Sequence, residues 1–132
     1  MFMANLIQYK REKQKRKDAA MDCIFCKIVQ GELPSKKVYE DDHILAFHDI
    51  NPIAPVHVLV IPKKHISSLM EIQPEDKELI GHLHLGLQKV AELTGVNQDG
   101  FRVVTNIGKH GQQTVFHIHY HVIGGRQLQW TM

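Results

Sequence analysis

The stretch that decides the fold is Phe116-His117-Ile118-His119-Tyr120-His121-Val122-Ile123, in which three histidines alternate with apolar or aromatic residues. Successive side chains of a β-strand point to opposite faces, so this period of two places the three imidazoles on one face. The other face receives side chains that suit a protein core: Phe116, Ile118, Tyr120 and Val122. We therefore predict a last long strand over residues 115–123 that carries a row of three histidines.

Length and composition limit the class of protein around this strand. The chain has 132 residues, of which 43% are hydrophobic, and this suits one globular domain with a buried core. No apolar run approaches the roughly 18–20 residues of a membrane span. The two cysteines, Cys23 and Cys26, lie too close together in the sequence for a disulfide between them to stabilise a secreted fold. These features predict a soluble, cytoplasmic protein with no membrane partner.

The positive charge is concentrated at the amino terminus. Residues 1–20 carry a net charge of +4, and the remaining residues carry −2, within a total of +2. A nucleic-acid-binding domain needs its excess of Lys and Arg on the folded body, so we expect no nucleic-acid partner. The chain is interpreted as a basic tail over residues 1–20, disordered or helical, and one folded domain over residues 21–132.

Turn and capping signals divide the folded domain into short elements. Asp22 is expected to cap a short helix over residues 23–30 that ends at Gly31, and Pro74 to begin a long helix that ends at Gly95. Besides the histidine strand, alternation and turn residues predict strands over residues 37–40, 43–48, 56–61 and 101–105. This order of elements predicts an α+β fold.

The histidine row is compatible with two kinds of chemistry. Two or three imidazoles could hold zinc and activate a water, as in a zinc-dependent hydrolase. Alternatively, the central imidazole could attack an electrophile such as phosphorus. The preceding loop supplies amide and hydroxyl donors and no carboxylate, which favours phosphate recognition over an all-protein metal cage: Asn106, Gly108, Gly111, Gln113 and Thr114.

The pattern His117-x-His119-x-His121, followed by two apolar residues, resembles the signature of the histidine triad superfamily of nucleotide hydrolases and transferases. The resemblance extends over residues 22–130 through CIFCKI (23–28), FHDINP (47–52), APVHVLVIPKKHIS (54–67) and HVIGGRQLQW (121–130). The ending is similar to the branch of histidine triad nucleotide-binding proteins, the purine nucleoside phosphoramidases. This resemblance implies an antiparallel sheet of about five strands with one long and one short helix, joined to a second sheet across a homodimer.

The resemblance also implies roles for individual residues. His119 corresponds to the nucleophile that forms a covalent nucleotidyl-histidine, oriented by a backbone carbonyl that could be that of His117. His121 corresponds to a phosphate contact near the leaving group, and the catalytic set comprises His117, His119 and His121. Gln112 departs from the family pattern, which has glycine there, and this puts the preference for the leaving group in doubt.

The nucleotide contacts carry over in the same way. Asp49 corresponds to the carboxylate that accepts the ribose hydroxyls, and Trp130 to a residue that approaches the partner protomer's active site. Phe47 and Ile50 are expected near the base, although Phe47 is equally explicable as core. The full set of implied nucleotide contacts is Phe47, Asp49, Ile50, His57, Asn106, Gln113, Thr114, His119 and His121.

A structural zinc site is a further implication of the resemblance. Some bacterial members combine the Cys-x-x-Cys pair with two histidines, which here are His65 and His117, to give a Cys2His2 site. The alternative is two small, half-buried thiols without a metal. The covalent chemistry itself requires no cofactor.

The expected activity is hydrolysis of purine nucleoside 5′-phosphoramidates, of the adenosine 5′-monophosphoramidate type, with AMP-type or GMP-type nucleotides as ligands. Two alternatives stay open at this point. One is a dinucleoside polyphosphate hydrolase or nucleotidyl transferase of the same superfamily. The other is a nucleotide-binding scaffold protein in which partner binding matters more than turnover.

Overall fold

The computed structural model describes residues 6–11 and 22–131. An exposed helical segment, α1, covers residues 6–11, and most of the basic tail lies outside the described residues. The folded part has helices α2 (Ile24–Val29) and α3 (Lys77–Thr94) and strands β1 (Lys37–Glu40), β2 (Ile44–His48), β3 (Val56–Pro62), β4 (Phe101–Val104) and β5 (Tyr120–Gly124). Two 3-10 turns, Leu69–Glu71 and Pro74–Asp76, precede α3.

The strands form one five-stranded sheet in the order β1-β2-β3-β5-β4, with every neighbouring pair antiparallel. The predicted α+β class with a five-stranded antiparallel sheet is confirmed. The edge strand β4 exposes Phe101 and Val103. The homodimer stays a prediction, because one chain is described. Within the described residues, no helix is both long enough and apolar enough to span a bilayer.

One face of the sheet packs against α3. Its core comprises mainly branched aliphatic side chains, such as Ile44, Val58 and Val60 from the sheet and Leu83 and Val90 from the helix. Gly86 lies in this interface, where an added Cβ would come within van der Waals overlap of the Ile44 side chain. This glycine therefore permits a close approach between α3 and the sheet of its own chain.

The opposite face of the sheet carries the site. Register pairs Phe47 with Leu59 and Leu59 with His121, so these side chains share a face. Helix α2 covers part of it through Phe25 and Cys26, which belong to a second buried cluster. The predicted alternation in β3, with His57, Leu59 and Ile61 on one face, is confirmed by this register.

The histidine strand is shorter than predicted. Strand β5 begins at Tyr120, and residues 114–119 form no strand. The alternation holds from Ile118, which is 1% exposed, but Phe116 is 60% exposed rather than in the core. The reason is that isolated hydrogen bonds hold this segment in place of a continuous series of hydrogen bonds to a neighbouring strand. One of them is donated by the Ile118 N–H to the Ile66 carbonyl at 2.6 Å.

Helix α2 begins later than predicted. Its N-cap is Cys23, not Asp22, because the Cys23 Sγ accepts the Cys26 N–H at 3.3 Å. The predicted ends of both helices are confirmed: Gly31 follows the C-cap residue Gln30 of α2 with a left-handed φ of 80°, and Gly95 directly follows α3 with a φ of 82°. Glycine reaches this conformation without the steric cost other residues meet.

Candidate active site

His119 lies just before β5 with one ring nitrogen engaged and the other available. Its Nδ1 is 2.8 Å from the His117 carbonyl oxygen, which can only accept, so Nδ1 carries the proton. Nε2 therefore carries the lone pair. Burial lowers the pKa of His119, although the bond to His117 and the charge of Asp49 oppose the effect. The ring is 4% exposed and its geometry is that of a neutral nucleophile or base.

The backbone around His119 is fixed by two long-range contacts. Thr105 at the end of β4 donates its hydroxyl hydrogen to the His119 carbonyl at 2.9 Å. Phe25 from α2 places its ring edge-on to the His119 ring, with centroids 5.2 Å apart. These contacts orient the imidazole before any ligand binds, as preorganised catalytic groups require.

His121 lies one step further along the same face. Its ring centroid is 5.1 Å from that of His119, and its Nδ1 is 2.9 Å from the Nε2 of His57. Burial lowers the pKa of His121 to about 4, with the neighbouring rings of His119 and His57 adding to the shift and Asp49 opposing it. His121 is therefore neutral near pH 7.

Asp49 follows β2 and lies beside these rings. Its backbone N–H donates to the His57 carbonyl at 2.9 Å, and its Oδ1 accepts the Asn51 N–H at 2.8 Å. Its Oδ2 lies 3.3 Å from the His57 Nε2. The structure thus brings together Asp49, His57, His119 and His121, four of the residues singled out in the sequence.

The loop before the histidine segment is braced by Gln113. The Gln113 Nε2 donates to the carbonyls of Ser67 at 2.6 Å and Val115 at 3.0 Å, and its Oε1 accepts the Gly108 N–H at 3.0 Å. A phosphate contact would have to replace one of these bonds, so the bracing role is one that sequence reasoning missed. Asn106 is half-buried and Thr114 exposed, and both stay predicted phosphate contacts.

Gln112 has a left-handed backbone with a φ of 58°, alone among the non-glycine residues of the described chain. That conformation costs a side chain with a Cβ roughly 1 kcal/mol. We expect Gln112→Gly to raise the free energy of unfolding by about 0.5 kcal/mol, because the relief of strain exceeds the added chain entropy. Urea denaturation measures this change. Gln98→Gly, at an exposed position with an ordinary φ, should destabilise, and equal effects of the two variants would contradict the assignment of strain.

The remaining predicted nucleotide and partner contacts differ in exposure. Phe47 is buried and packs edge-on against Phe25 at 5.6 Å, which makes it part of the core beneath the site. Ile50 is 92% exposed at the rim beyond Asp49, and Trp130 is 85% exposed near the carboxyl end. Their contacts with a base and with a partner protomer stay predictions.

A cluster of two thiols and two imidazoles lies behind the histidine segment. The His117 Nδ1 is 3.3 Å from the Cys23 Sγ and 3.5 Å from the Cys26 Sγ, and the His65 Nδ1 is 3.3 Å from the Cys26 Sγ. All four ligand atoms lie within 4.8 Å of one another. The structure therefore brings together all four residues of the predicted metal set.

The protonation of this cluster fits a metal. His117 donates its Nε2 hydrogen to the Pro62 carbonyl at 2.8 Å, so its Nδ1 lone pair faces the thiols. Burial lowers the pKa of His117 to about 4, and it raises that of the Cys26 thiol to about 12, with Cys23 adding to the effect. A bound cation stabilises the thiolate form, which burial otherwise disfavours. The donor set is therefore the one that tetrahedral zinc takes in structural sites.

Several residues of the site had no signal in the sequence. The site receives a ring contact from Phe25, carbonyl groups from Pro62 and Ile66, and a hydroxyl group from Thr105. A backbone carbonyl is present at every residue, so no sequence motif identifies it. Of these four groups, only the hydroxyl of Thr105 is a polar side chain that the sequence could have indicated. A surface cavity of about 760 Å3 lies elsewhere, lined by residues such as Phe101, Arg102 and Leu128, and is not lined by His117, His119 or His121.

Comparisons with known proteins agree with this geometry. The family described as scavenger mRNA decapping enzyme C-term binding matches residues 22–130. An uncharacterized HIT-like protein of Synechocystis sp. is 52% identical over 111 residues, which cover 84% of this chain and 96% of the relative.

Solved structures show the same likeness. A HIT family hydrolase from Legionella pneumophila has a TM-score of 0.80 at 47% identity, covering 83% of this chain and 97% of its own. A histidine triad protein from Clostridium difficile has a TM-score of 0.81 at 51% identity, covering 85% and 97%. Since the family match, the sequence identities and the fold agree, the chain belongs to the histidine triad superfamily.

Proposed function

We propose that this protein hydrolyses purine nucleoside 5′-phosphoramidates through a covalent nucleotidyl intermediate on His119. The observation that carries the proposal is the 2.8 Å contact between the His119 Nδ1 and the His117 carbonyl, which leaves the Nε2 lone pair directed away from its own backbone. Solved relatives described as HIT family hydrolases support hydrolysis as the reaction class.

The first step forms a bond between the His119 Nε2 and the α-phosphorus as the phosphorus–nitrogen bond breaks. The leaving amine takes up one proton. His121 is neutral near pH 7, so it stabilises the leaving group or a phosphoryl oxygen as a hydrogen-bond donor, and the net proton arrives with the substrate. The amides of Gly108, Gln112 and Gln113 already donate within the loop, so we expect the side chains of Asn106 and Thr114 to contact the phosphoryl oxygens on which charge develops.

The second step is attack of water on the same phosphorus. The bond between phosphorus and the His119 Nε2 breaks, the water loses its proton to solvent, and the nucleoside monophosphate is released. Asp49, beside His57, would accept the ribose hydroxyls, since within the described residues its Oδ2 accepts no backbone N–H, while its Oδ1 accepts that of Asn51. Both steps use protein groups and water.

We also propose that Cys23, Cys26, His65 and His117 hold a structural zinc ion. The metal would supply a cross-link between α2 and the segment that carries His119. Four protein ligands complete the usual coordination of zinc, and this distinguishes the cluster from a hydrolytic site with an open position. The position of His65 supports a ligand role, because its Nδ1 lies 3.3 Å from the Cys26 Sγ and within reach of the other three ligand atoms.

The experiment that tests the proposed reaction is mass spectrometry of the protein quenched in acid-free denaturant during turnover of an adenosine 5′-phosphoramidate. We expect one adenylyl group on the peptide that contains His119. A parallel reaction with a diadenosine polyphosphate tests the alternative hydrolase. Faster adduct formation with the polyphosphate would favour that alternative, and nucleotide binding without an adduct from either compound would favour a scaffold protein.

A further inference from the structure

We propose that His57 is a positioning residue that holds His121 in one tautomer, with the Nε2 proton directed to the site. The inference rests on the proposed function for its catalytic meaning, but its structural basis is independent of it. His57 is 6% exposed and lies in β3 opposite Ile123, on the same face as His121.

The proton on His57 is located by a backbone group. The Ile53 N–H points at the His57 Nδ1 at a distance of 3.2 Å. An N–H donor requires a lone pair, so Nδ1 carries no proton. This excludes both the imidazolium and the Nδ1–H tautomer, and His57 must be neutral with its proton on Nε2.

Ile53 is also held through its carbonyl group. Arg126, which follows β5, donates from its Nη2 to the Ile53 carbonyl at 3.2 Å. The turn that carries Asp49 and Ile53 is therefore tied to both strands of the site. His57 also has an acceptor on its outer side, since the Asp49 Oδ2 lies 3.3 Å from the same Nε2. Both neighbours of Nε2 favour a proton there.

The position of the proton on His57 determines the tautomer of His121. The His57 Nε2–H donates to the His121 Nδ1 at 2.9 Å, and this requires a lone pair on Nδ1. A neutral His121 must then carry its proton on Nε2, the nitrogen on the far side of the ring. An imidazole held in the wrong tautomer loses most of its catalytic value, as shown when the orienting carboxylate of a serine protease triad is replaced by an amide.

Asp49, His57 and His121 also place three possible metal ligands within 4.8 Å of one another. The proton arrangement disfavours a metal there. If the His57 Nε2 bound a metal while Nδ1 accepted the Ile53 N–H, the ring would have to lose both protons. The cluster is a hydrogen-bonded chain that runs from Ile53 through His57 to His121.

Two variants of His57 remove its two hydrogen bonds one at a time. His57→Gln places an amide donor close to the position of Nε2, so it retains the bond to His121 and loses the acceptor for Ile53. His57→Asn retains an acceptor close to the position of Nδ1 and cannot reach His121. Both replace a buried ring by a neutral amide, and the two side chains differ from each other by one methylene group.

The tautomer is measured directly by the ring 15N chemical shifts of His121 in the free, full-length protein near pH 7. We expect a lone-pair nitrogen at Nδ1 and a protonated nitrogen at Nε2 in the wild type and in His57→Gln, and a mixture of tautomers in His57→Asn. With the phosphoramidate, kcat should fall on the order of 10-fold to 100-fold further in His57→Asn than in His57→Gln, at similar KM, the usual contribution of an orienting partner.

A proton on the His121 Nδ1 in the wild type would overturn the proposal, even if neither variant folds. Unchanged tautomer and unchanged kcat in a folded His57→Asn would also overturn it. The wild-type spectrum does not depend on turnover. If no nucleotidyl adduct forms, the proposed function therefore fails while the assignment of the tautomer stands.

Discussion

Replacement of His119 by alanine is expected to lower kcat for an adenosine 5′-phosphoramidate by at least about 10⁴-fold, the loss that follows removal of a covalent nucleophile. The reason is that the His119 Nε2 is the nitrogen whose lone pair the structure leaves available, since Nδ1 is engaged with the His117 carbonyl. Steady-state turnover and the adenylyl adduct in the quenched protein are the two measurements. Both should be lost together.

A second substitution separates chemistry from packing. His119→Asn retains an amide donor near the position of Nδ1, so the bond to the His117 carbonyl can persist while the nucleophilic nitrogen is removed. We expect the same loss of kcat as in the alanine variant, with a smaller loss of stability. His84→Ala is the control, because His84 is exposed on α3 and contacts the Ile80 carbonyl of its own helix and the ring of Tyr120, which faces α3 rather than the site. Turnover near the wild-type rate in His119→Asn would refute covalent catalysis by this residue.

The faces of the sheet could be predicted from the sequence because alternation reports which side chains a sheet buries. His57, Leu59 and Ile61 share one face as expected, and Ile118, Tyr120 and Val122 belong to the core under α3. Periodicity does not report where hydrogen bonding begins. The predicted strand over residues 115–123 was wrong at its start, because Gln113 and Ile66 supply the local bonds that a neighbouring strand would otherwise supply.

The candidate site was predictable to the extent that its side chains carry the chemistry. His119 and His121 could be predicted because the alternation places them on one strand face, and Asp49 and His57 because of the resemblance to the histidine triad superfamily. The groups that set their protonation could not be named. The Ile53 N–H, the His117 carbonyl and the Pro62 carbonyl belong to the backbone, so any residue at those positions could supply them.

Two histidines outside the site, His43 and His82, have structural contacts instead, so a high histidine content does not by itself identify an active site. The His82 Nε2 is 2.7 Å from the Asp41 Oδ2, and the rings of His82 and His43 pack edge-on at 5.5 Å. These contacts connect α3 to the turn between β1 and β2. Both residues are therefore remote from the sheet face that carries His119.

Removal of zinc is the second change for which we expect a large effect, in this case on stability. A metal present at about a thousand times its Kd stabilises the folded state by about 4 kcal/mol. For a domain of this size, that loss lowers Tm by roughly 10–20 °C. The cluster of Cys23, Cys26, His65 and His117 should therefore make thermal unfolding sensitive to a chelator, and elemental analysis of the purified protein should find one zinc per chain.

The double variant Cys23→Ser, Cys26→Ser should lose the zinc and unfold at the lower temperature whether or not a chelator is present. His84→Ala should keep both the metal and the chelator response, because His84 lies on α3 outside the cluster. Metal-free wild type whose melting a chelator does not change would contradict the zinc proposal.

Activity then distinguishes a structural from a catalytic metal. His117 connects the two sites through different atoms: its Nδ1 faces the thiols, and its carbonyl accepts the proton of His119. A structural zinc therefore acts on the nucleophile only through the position of the backbone. Zinc-depleted protein held well below its lowered Tm should still form the adenylyl adduct. If depletion abolished the adduct while the fold persisted, the metal would belong to the reaction, and the role of His119 would have to be reassigned.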